Sequence, residues 1–239
     1  MSLAADFSYR IGQSACGSLR TLVAGAEVLL RPSGALWLDG VLVVADLHLE
    51  KGSSYAARGQ MLPPYDTADT LRRLEAEIEA LTPRVVVLLG DTFHDRGSED
   101  RLAREHAVRL RALALGRTLV WVVGNHDRDG PRDLPGEVVD ELTVAGIALR
   151  HEPSPRPRAA EAAGHLHPCA KVRATGGAVR RRCFITDGER VILPAFGTYA
   201  GGLNVRDVAF SGLFARPPLA GALGARRVHA LGWRSLAGD

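Results

Sequence analysis

Three unbroken apolar runs dominate the hydropathy pattern: Val41–Ala45, Val85–Leu89 and Leu119–Val123. Each is five residues long and rich in Val and Leu, the length and composition of a strand buried on both faces. Between the first two, Leu71, Leu74, Ile78 and Leu81 recur at intervals of three and four. With Asp66 or Thr67 as N-cap and Thr82-Pro83 as stop, that spacing predicts an amphipathic helix over Thr67–Leu81. Ser98-Glu99-Asp100 opens a second helix with acids in its first turn, and Gly116 closes it before the third run. Strand, helix, strand, helix, strand predicts two consecutive right-handed crossover units whose parallel strand ends point the same way. Glu50–Pro64 is polar, broken by Gly and closed by Pro-Pro, and reads as a long loop forming one wall of a cleft.

The flanking pattern is shorter and more β-like. Leu22–Leu30 and Ala35–Leu38, separated by Pro32-Ser33-Gly34, lead through the hairpin signal Asp39-Gly40 into the first run. After Asp127, Glu137–Thr143 and Ile147–His151 read as strands about Ala145-Gly146, and Pro153–Ala163 as a loop. Ala170–Ala174, Cys183–Thr186 and Val191–Phe196 read as strands divided by Gly176-Gly177 and Asp187-Gly188, with Arg226–Trp233 closing. The second half is therefore expected to be antiparallel or mixed sheet. Gly197–Gly202 and the Pro217-Pro218 region read as loops. No internal repeat or linker divides the chain, so residues 1–239 are expected to form a single domain.

Composition narrows the setting. The chain has 239 residues, 46% of them hydrophobic, enough for a full core. No apolar run approaches the roughly 20 residues that cross a bilayer, and no basic segment followed by a long apolar stretch marks a secretion signal. A cytoplasmic protein without a membrane partner is the expectation. Met1-Ser2-Leu3, which resembles a cloning remnant, is set aside. Cys16, Cys169 and Cys183 are odd in number and far apart, which excludes a disulfide framework and a zinc ribbon. The net charge of +3 permits a polyanionic substrate without naming one. Arg180-Arg181-Arg182 reads either as a DNA-backbone contact or as the wetted face of a strand.

Candidate chemistry collects at the ends of the apolar runs. The first ends in Asp46-Leu-His48, the second in Gly90-Asp91-Thr-Phe-His-Asp95, the third in Gly124-Asn125-His126-Asp127. His151 ends a later strand, and Gly164-His165-Leu-His167 adds two imidazoles on alternate residues. Carboxylates, neutral imidazoles and a carboxamide oxygen are what two divalent cations need beside water and phosphate. Asp46 and His48, two apart on an extended segment, would share a face, Asp91 would bridge, and Gly124 would let the chain turn tightly behind the strand. His126 adjoins a ligand without being needed as one, which makes it the candidate proton donor to a leaving oxygen. Arg96 and Arg128, a few residues beyond these motifs, are candidate phosphate contacts.

In this order the motifs resemble those of the calcineurin-like metallophosphoesterase superfamily, from about Val41 to Pro168. The resemblance implies an α/β fold, a four-layer α/β/β/α sandwich with two mixed sheets. It places Asp46, His48, Asp91 and His167 on one metal, Asp91, Asn125, His151 and His165 on a second, and makes His126 the catalytic histidine. One departure stands out: His94-Asp95 occupies the place where many members carry a supporting acid or Arg. Asp46-Leu-His-Leu-Glu-Lys-Gly-Ser-Ser, Arg58-Gly-Gln-Met-Leu-Pro-Pro-Tyr-Asp66 and Gly-Asp-Thr-Phe-His-Asp further resemble the bacterial ligase-associated DNA-damage-response phosphoesterases. That implies a manganese-dependent phosphodiesterase or DNA endonuclease in repair, with a DNA ligase and a helicase as partners, attacking phosphorus through a hydroxide activated by two metals. Fe, Zn and Mg share these donors. The alternatives are a small-molecule phosphodiesterase or phosphatase acting on cyclic nucleotides, a one-metal hydrolase, and a non-catalytic repair scaffold.

Overall fold

Alternation within the three apolar runs decides the architecture. The computed structural model describes residues 11–174 and 177–239. Met1-Ser2-Leu3, the rest of the segment read for a secretion signal up to residue 10, and Gly176 of the Gly176-Gly177 turn lie outside the described residues. Val41, Val43, Ala45, Val87, Leu89, Val120 and Val122 face one way, into a core shared with Ile147, Leu149, Phe184, Val191 and Leu193. Leu42, Val44, Val86, Leu88, Leu119 and Trp121 face the other way, against Leu71, Leu74, Ile78, Leu110 and Leu113. Strands covered on both faces are apolar at every position for this reason.

The first sheet runs in chain order: β1 (Gly12–Gln13), β2 (Leu19–Val23), β3 (Ala26–Leu30), β4 (Leu36–Leu38), β5 (Val41–Ala45), β6 (Val85–Leu89), β7 (Thr118–Val122) and β8 (Glu137–Val139). β1 to β5 pair antiparallel and β5 to β8 parallel, with Ala45 opposite Leu89 and Leu89 opposite Val122. The second sheet comprises β9 (Glu141–Val144), β10 (Ile147–Arg150), β11 (Glu161–Ala163), β12 (Pro168–Ala174), β13 (Gly177–Thr186), β14 (Arg190–Ile192), β15 (Leu203–Asn204), β16 (Leu219–Leu223) and β17 (Val228–Gly232). It is mixed: β10, β11 and β14 run parallel, and β13, β16 and β17 antiparallel. Helices α2 (Asp66–Leu81) and α4 (Arg104–Ala112) supply the outer cover of the first sheet, and α1 (Lys51–Ala56) packs on α2 and on α3 (Ser98–Arg101). The outer face of the second is closed by Val205, by 3-10 turns at Val208–Phe210 and Trp233–Ser235 and by Leu213 and Leu236. This is the α/β fold with two mixed sheets that the motifs imply, with a thin fourth layer. Among the described residues no helix is long and apolar enough to cross a membrane.

Several local expectations need correction. The segment read as a loop contains α1, although Gly52, Ser53 and Ser54 are weak helix formers. Tertiary contacts support it: Gly52 N–H donates to the Asp66 carboxylate at 2.9 Å, and the Thr67 hydroxyl accepts from Glu50 N–H and donates to its carboxylate. The helix opened by Ser98 breaks at extended Leu102 and Ala103 into α3 and α4. Glu137–Thr143 is two strands, because the chain leaves the first sheet for the second at Asp140. Pro153–Ala163 ends in β11, β14 stops at Ile192, and β16 follows the prolines without a pattern that announced it.

The loop between β10 and β11 is held by a buried ion pair. Arg190 Nε lies 2.7 Å from Glu161 Oε2, at 1% and 0% side-chain exposure, and the guanidinium also donates to the Arg156 and Leu213 carbonyls. Removing Arg190 leaves the buried Glu161 carboxylate only the more distant Arg150 and Arg158, at 3.9 and 3.8 Å, as cations, so Arg190→Met is expected to destabilise the protein by up to about 3–5 kcal/mol. Arg190→Met/Glu161→Leu should regain most of that loss in thermal unfolding; a double variant no better than the single one would show that packing, not the pair, holds the loop.

Candidate metal centre

Each strand end delivers its polar group one step further along. Beyond the paired residues Ala45, Leu89 and Val122 come Asp46, then Gly90-Asp91, then Val123-Gly124-Asn125. Asp46, His48 and Asp91 have φ of 53°, 44° and 47°, and His165 and His167 have 69° and 45°. The two Asp/His-x-His segments are therefore not extended, contrary to the simple alternation argument. Left-handed residues turn both side chains inward while Leu47 between them stays in the core at 1% exposure. Asp and His tolerate this conformation better than most side chains, so the ligand types and the backbone required agree.

The side chains gather in two groups. In one, His48 Nε2 lies 3.3 Å from His167 Nε2, which lies 3.4 Å from Asp46 Oδ1. In the other, Asn125 Oδ1 lies 2.9 Å from His151 Nε2 and 3.0 Å from His165 Nδ1, with the two imidazole nitrogens 3.1 Å apart. Asp91 Oδ2 faces both groups, 3.9 Å from His48 Nε2 and 3.4 Å from His151 Nε2. All seven residues expected as ligands thus meet in one place. Asp46, His48 and His167, and Asp91, His151 and His165, are each close enough to hold one ion. Imidazole nitrogens facing one another at hydrogen-bond distance and sharing a carboxylate fit divalent cations, because the cation replaces the protons over which they would compete.

Electrostatics point the same way. Burial and the neighbouring His167 push His48 down to about 3, leaving a neutral, ligand-ready imidazole. Burial pushes Asp91 up, yet the hydrogen bond and charge of His151 hold it at about 2. His151 is the mirror case: burial opposes its charge, but Asp91 and Asp46 raise it to about 9. Its Nε2 faces Asn125 Oδ1 and its Nδ1 lies 3.4 Å from the Leu89 carbonyl, so both nitrogens face acceptors. Burial and the His151 charge lower His165.

His126 lies outside those two sets, though with His48 and His94 it forms a third group close enough to hold an ion. Its backbone N–H donates to Asp91 Oδ1 at 2.9 Å, and its Nδ1 donates to the His94 carbonyl at 2.7 Å. Because a carbonyl can only accept, Nδ1 carries the proton there, and Nε2 points toward Asp91 Oδ2 at 3.9 Å. Asp127 does not hold His126. Its carboxylate accepts four backbone N–H bonds, from Gly124, Asp91, Thr92 and Phe93, stitching the third strand end to the second. Burial raises its pKa despite those bonds. Gly124 serves by its size and not by a special turn: a Cβ there would lie 2.2 Å from Asp91 N.

Sequence reasoning left His94 without a role. Its Nδ1 lies 3.4 Å from His48 Nδ1, and its ring stacks on His126 with centroids 5.6 Å apart. Burial and the Lys51 charge lower it to about 4. Its spacing, three residues after Asp91, was the available signal. Tyr55 on α1 presents its ring 6.0 Å from that of His94, with Lys51 Nζ 5.8 Å from the Tyr55 ring; only the unexpected helix places them there. Arg96 and Arg128 are both exposed and line a shallow cavity of about 140 Å³ together with Phe93 and Asp127. Asp95, Glu99 and Asp129 line it too, so it is mixed in charge.

Comparisons with known proteins follow this geometry. A family model described as calcineurin-like phosphoesterase matches residues 40–174. Among solved structures, the crystal structure of the Pseudomonas putida nuclease MPE is 27% identical, with a TM-score of 0.66 over 93% of this chain and 100% of that one. The E. coli phosphoesterase YfcE is 16% identical over 80% of this chain and 98% of its own, with a TM-score of 0.38. No curated protein sequence matches.

The raised His151 makes a measurable demand. Since a ligand imidazole must give up its proton, a cation entering the second group at neutral pH should release about one proton. Affinity there should weaken as pH falls, and proton competition should vanish as pH passes the imidazolium value of about 9. Calorimetric titration with Mn in buffers of different ionisation enthalpy reads the release; its absence would remove His151 from the ligand set.

Proposed function

The chain belongs to the calcineurin-like phosphoesterases, and on that premise we propose that it is a two-metal phosphodiesterase acting on nucleic acid, a DNA endonuclease. The observation that carries the two-metal part is the position of Asp91 Oδ2 between two donor sets, each of a carboxylate and imidazoles. The nuclease part is supported by the 27% identity to a Pseudomonas putida protein described as a nuclease, over nearly the whole of both chains. Asp46, His48, Asp91 and His167 would hold one cation and Asp91, Asn125, His151 and His165 the other. The chemistry such cations supply when bound is a water of lowered pKa and neutralised charge on the phosphoryl oxygens.

The remaining work falls to the chain itself. His126, its Nδ1 proton committed to the His94 carbonyl, presents Nε2 toward the shared carboxylate; as the imidazolium it carries a second proton on Nε2, gives that proton to the leaving oxygen and is left neutral. His94, stacked on that ring, fixes its plane. Asp127 orients Asp91 through the backbone, and Arg96 and Arg128 contact phosphate from the adjoining cavity. Manganese as the native metal, a cytoplasmic repair setting, and a DNA ligase and a helicase as partners belong to the same reading by family resemblance.

Metal-stripped protein to which Mn is restored should hydrolyse bis-p-nitrophenyl phosphate in preference to the monoester. Asp91→Asn is expected to lose both turnover and bound metal. With His126→Ala, kcat should fall by roughly 10²–10⁴ while elemental analysis still finds two ions; loss of metal instead would make His126 a ligand. Absence of diester turnover with every divalent cation, at full metal occupancy, overturns the reading. Cleavage of cyclic nucleotides but not plasmid DNA would replace the nucleic-acid substrate with a small one.

A further inference from the structure

Positive charge is not spread evenly over this chain. Residues 162–186 contain five Lys and Arg and no acid, while the remainder carries 25 bases against 27 acids. The whole positive excess therefore lies on one segment, and that segment is the antiparallel ribbon of β12 and β13. Its register pairs Cys169 with Arg182, Lys171 with Arg180 and Arg173 with Ala178. Residues directly opposite share a face, as do alternate residues along a strand. Lys171, Arg173 and Arg180 thus lie on one face together with Arg182, and Arg181 on the other.

Arg182 roots the ribbon beside the metal centre. Its guanidinium donates to the carbonyls of Ala195, Thr198 and Ala200. That loop in turn sits on the first strand end, where Gly197 N–H donates to the Asp46 carbonyl at 3.1 Å. β12 itself begins at Pro168, immediately after His167. Further out the ribbon leaves the sandwich, and residues 177–181 are all exposed. There Lys171 and Arg180 share a single carboxylate, Asp239, at 3.4 and 3.7 Å. Arg173 and Arg181 are exposed and have no acidic partner among the described residues. Lys171 opposite Arg180 is a like-charge pair, which weakens a sheet. A polyanion lying along the ribbon offsets that cost.

We infer that the β12–β13 ribbon is a docking arm for the phosphodiester backbone of a polynucleotide running outward from the metal centre. This rests on the proposed phosphodiesterase reading and extends it to the substrate's length. At about 3.3 Å per residue, Lys171 lies about 13 Å and Arg173 about 20 Å along the strand from His167. Neither reaches the phosphate being cleaved. Each instead meets a phosphate a few nucleotides away, so the arm discriminates between long chains and small diesters.

The test compares wild type with Arg173→Ala/Arg180→Ala, two exposed positions on the same face of the ribbon and outside the metal centre. Binding of a fluorescein-labelled phosphorothioate 20-mer, which keeps its charges and resists hydrolysis, is read by anisotropy across a salt series. Each lost contact with a single strand reduces the slope of log K against log salt by about 0.7. The double variant should therefore lose about 1.4 from the slope and bind roughly 25-fold more weakly at 0.1 M salt. Bis-p-nitrophenyl phosphate turnover should be unchanged, and Arg173→Lys/Arg180→Lys should restore the slope. Unchanged affinity and slope in the alanine variant overturn the arm, as does loss of binding to phosphatidylserine vesicles with DNA binding intact. If no form of the protein turns over the diester, the function reading fails, while the anisotropy series still decides the arm.

Discussion

Three parallel strands ending in register are the constraint on which the rest of the molecule depends. Neighbouring strands lie about 4.8 Å apart, so in-register ends at Ala45, Leu89 and Val122 bring the following residues within reach of one another. The ligands then fall one, two and three positions beyond those ends, at Asp46, Asp91 and Asn125. Such a sloping line puts Asp91 in the middle, where a single carboxylate can face donors from both sides. The second sheet completes the arrangement, because β10 and β11 run parallel and carry His151 and His165 to the same edge. Neither sheet alone assembles both donor sets; their shared apolar core does so by fixing the distance between the two edges.

That assembly carries strain. Asp46, His48, Asp91, His165 and His167 all have left-handed backbone, a conformation that costs a non-glycine residue of order 1 kcal/mol or more. Five such residues in one site persist only because their surroundings over-determine them. Asp127 does so from below, with four backbone N–H donors converging on one carboxylate. The loop 195–200 does so from the side, since Phe196 N–H donates to the Ala45 carbonyl and Gly197 N–H to that of Asp46. A Cβ on Gly197 would lie 2.0 Å from the Leu47 carbonyl oxygen, so that close approach is open to glycine alone. Concentrated imidazoles add a second cost, visible in the depressed pKa of His48 and His94 beside the elevated one of His151. Cations would relieve both costs at once by replacing proton competition with coordination.

How far sequence could be read follows from which forces are local. Val85–Leu89 and Leu71–Leu81 declared themselves because burial on both faces, or along one stripe, leaves a periodic trace in the residues themselves. The ligand residues were legible because their spacing from the strand ends is short and covalent. Helix α1 was not, since its support comes from Asp66 and Thr67 across a turn and not from the propensities of Gly52 or Ser53. With α1 went Tyr55 and Lys51, whose place beside His94 depends on it. Asp127 could be read as either a cap or an orienting group, and only the distances to four N–H groups decide between them. The division of Glu137–Thr143 between two sheets lies wholly in tertiary structure, with Asp140 its sole local trace.

Charge placement carries the argument from the centre to what the centre acts upon. On the proposed reading the seven candidate ligands and His126 would treat any diester alike, because such donors touch only the reacting group. Selectivity must come from groups farther away, and long-range positive charge is effective only within about one screening length of the phosphates it attracts, about 8–10 Å at physiological salt. The mixed cavity around Arg96 and Arg128 adjoins the centre at Asp127 but brings four carboxylates with it. By contrast the β12–β13 ribbon holds its cations on paired strands whose root, Arg182, is tied to the loop that packs on Asp46. Its position is therefore set by the same loop that holds Asp46, and a chain lying along it would run toward the donor cluster in a set direction.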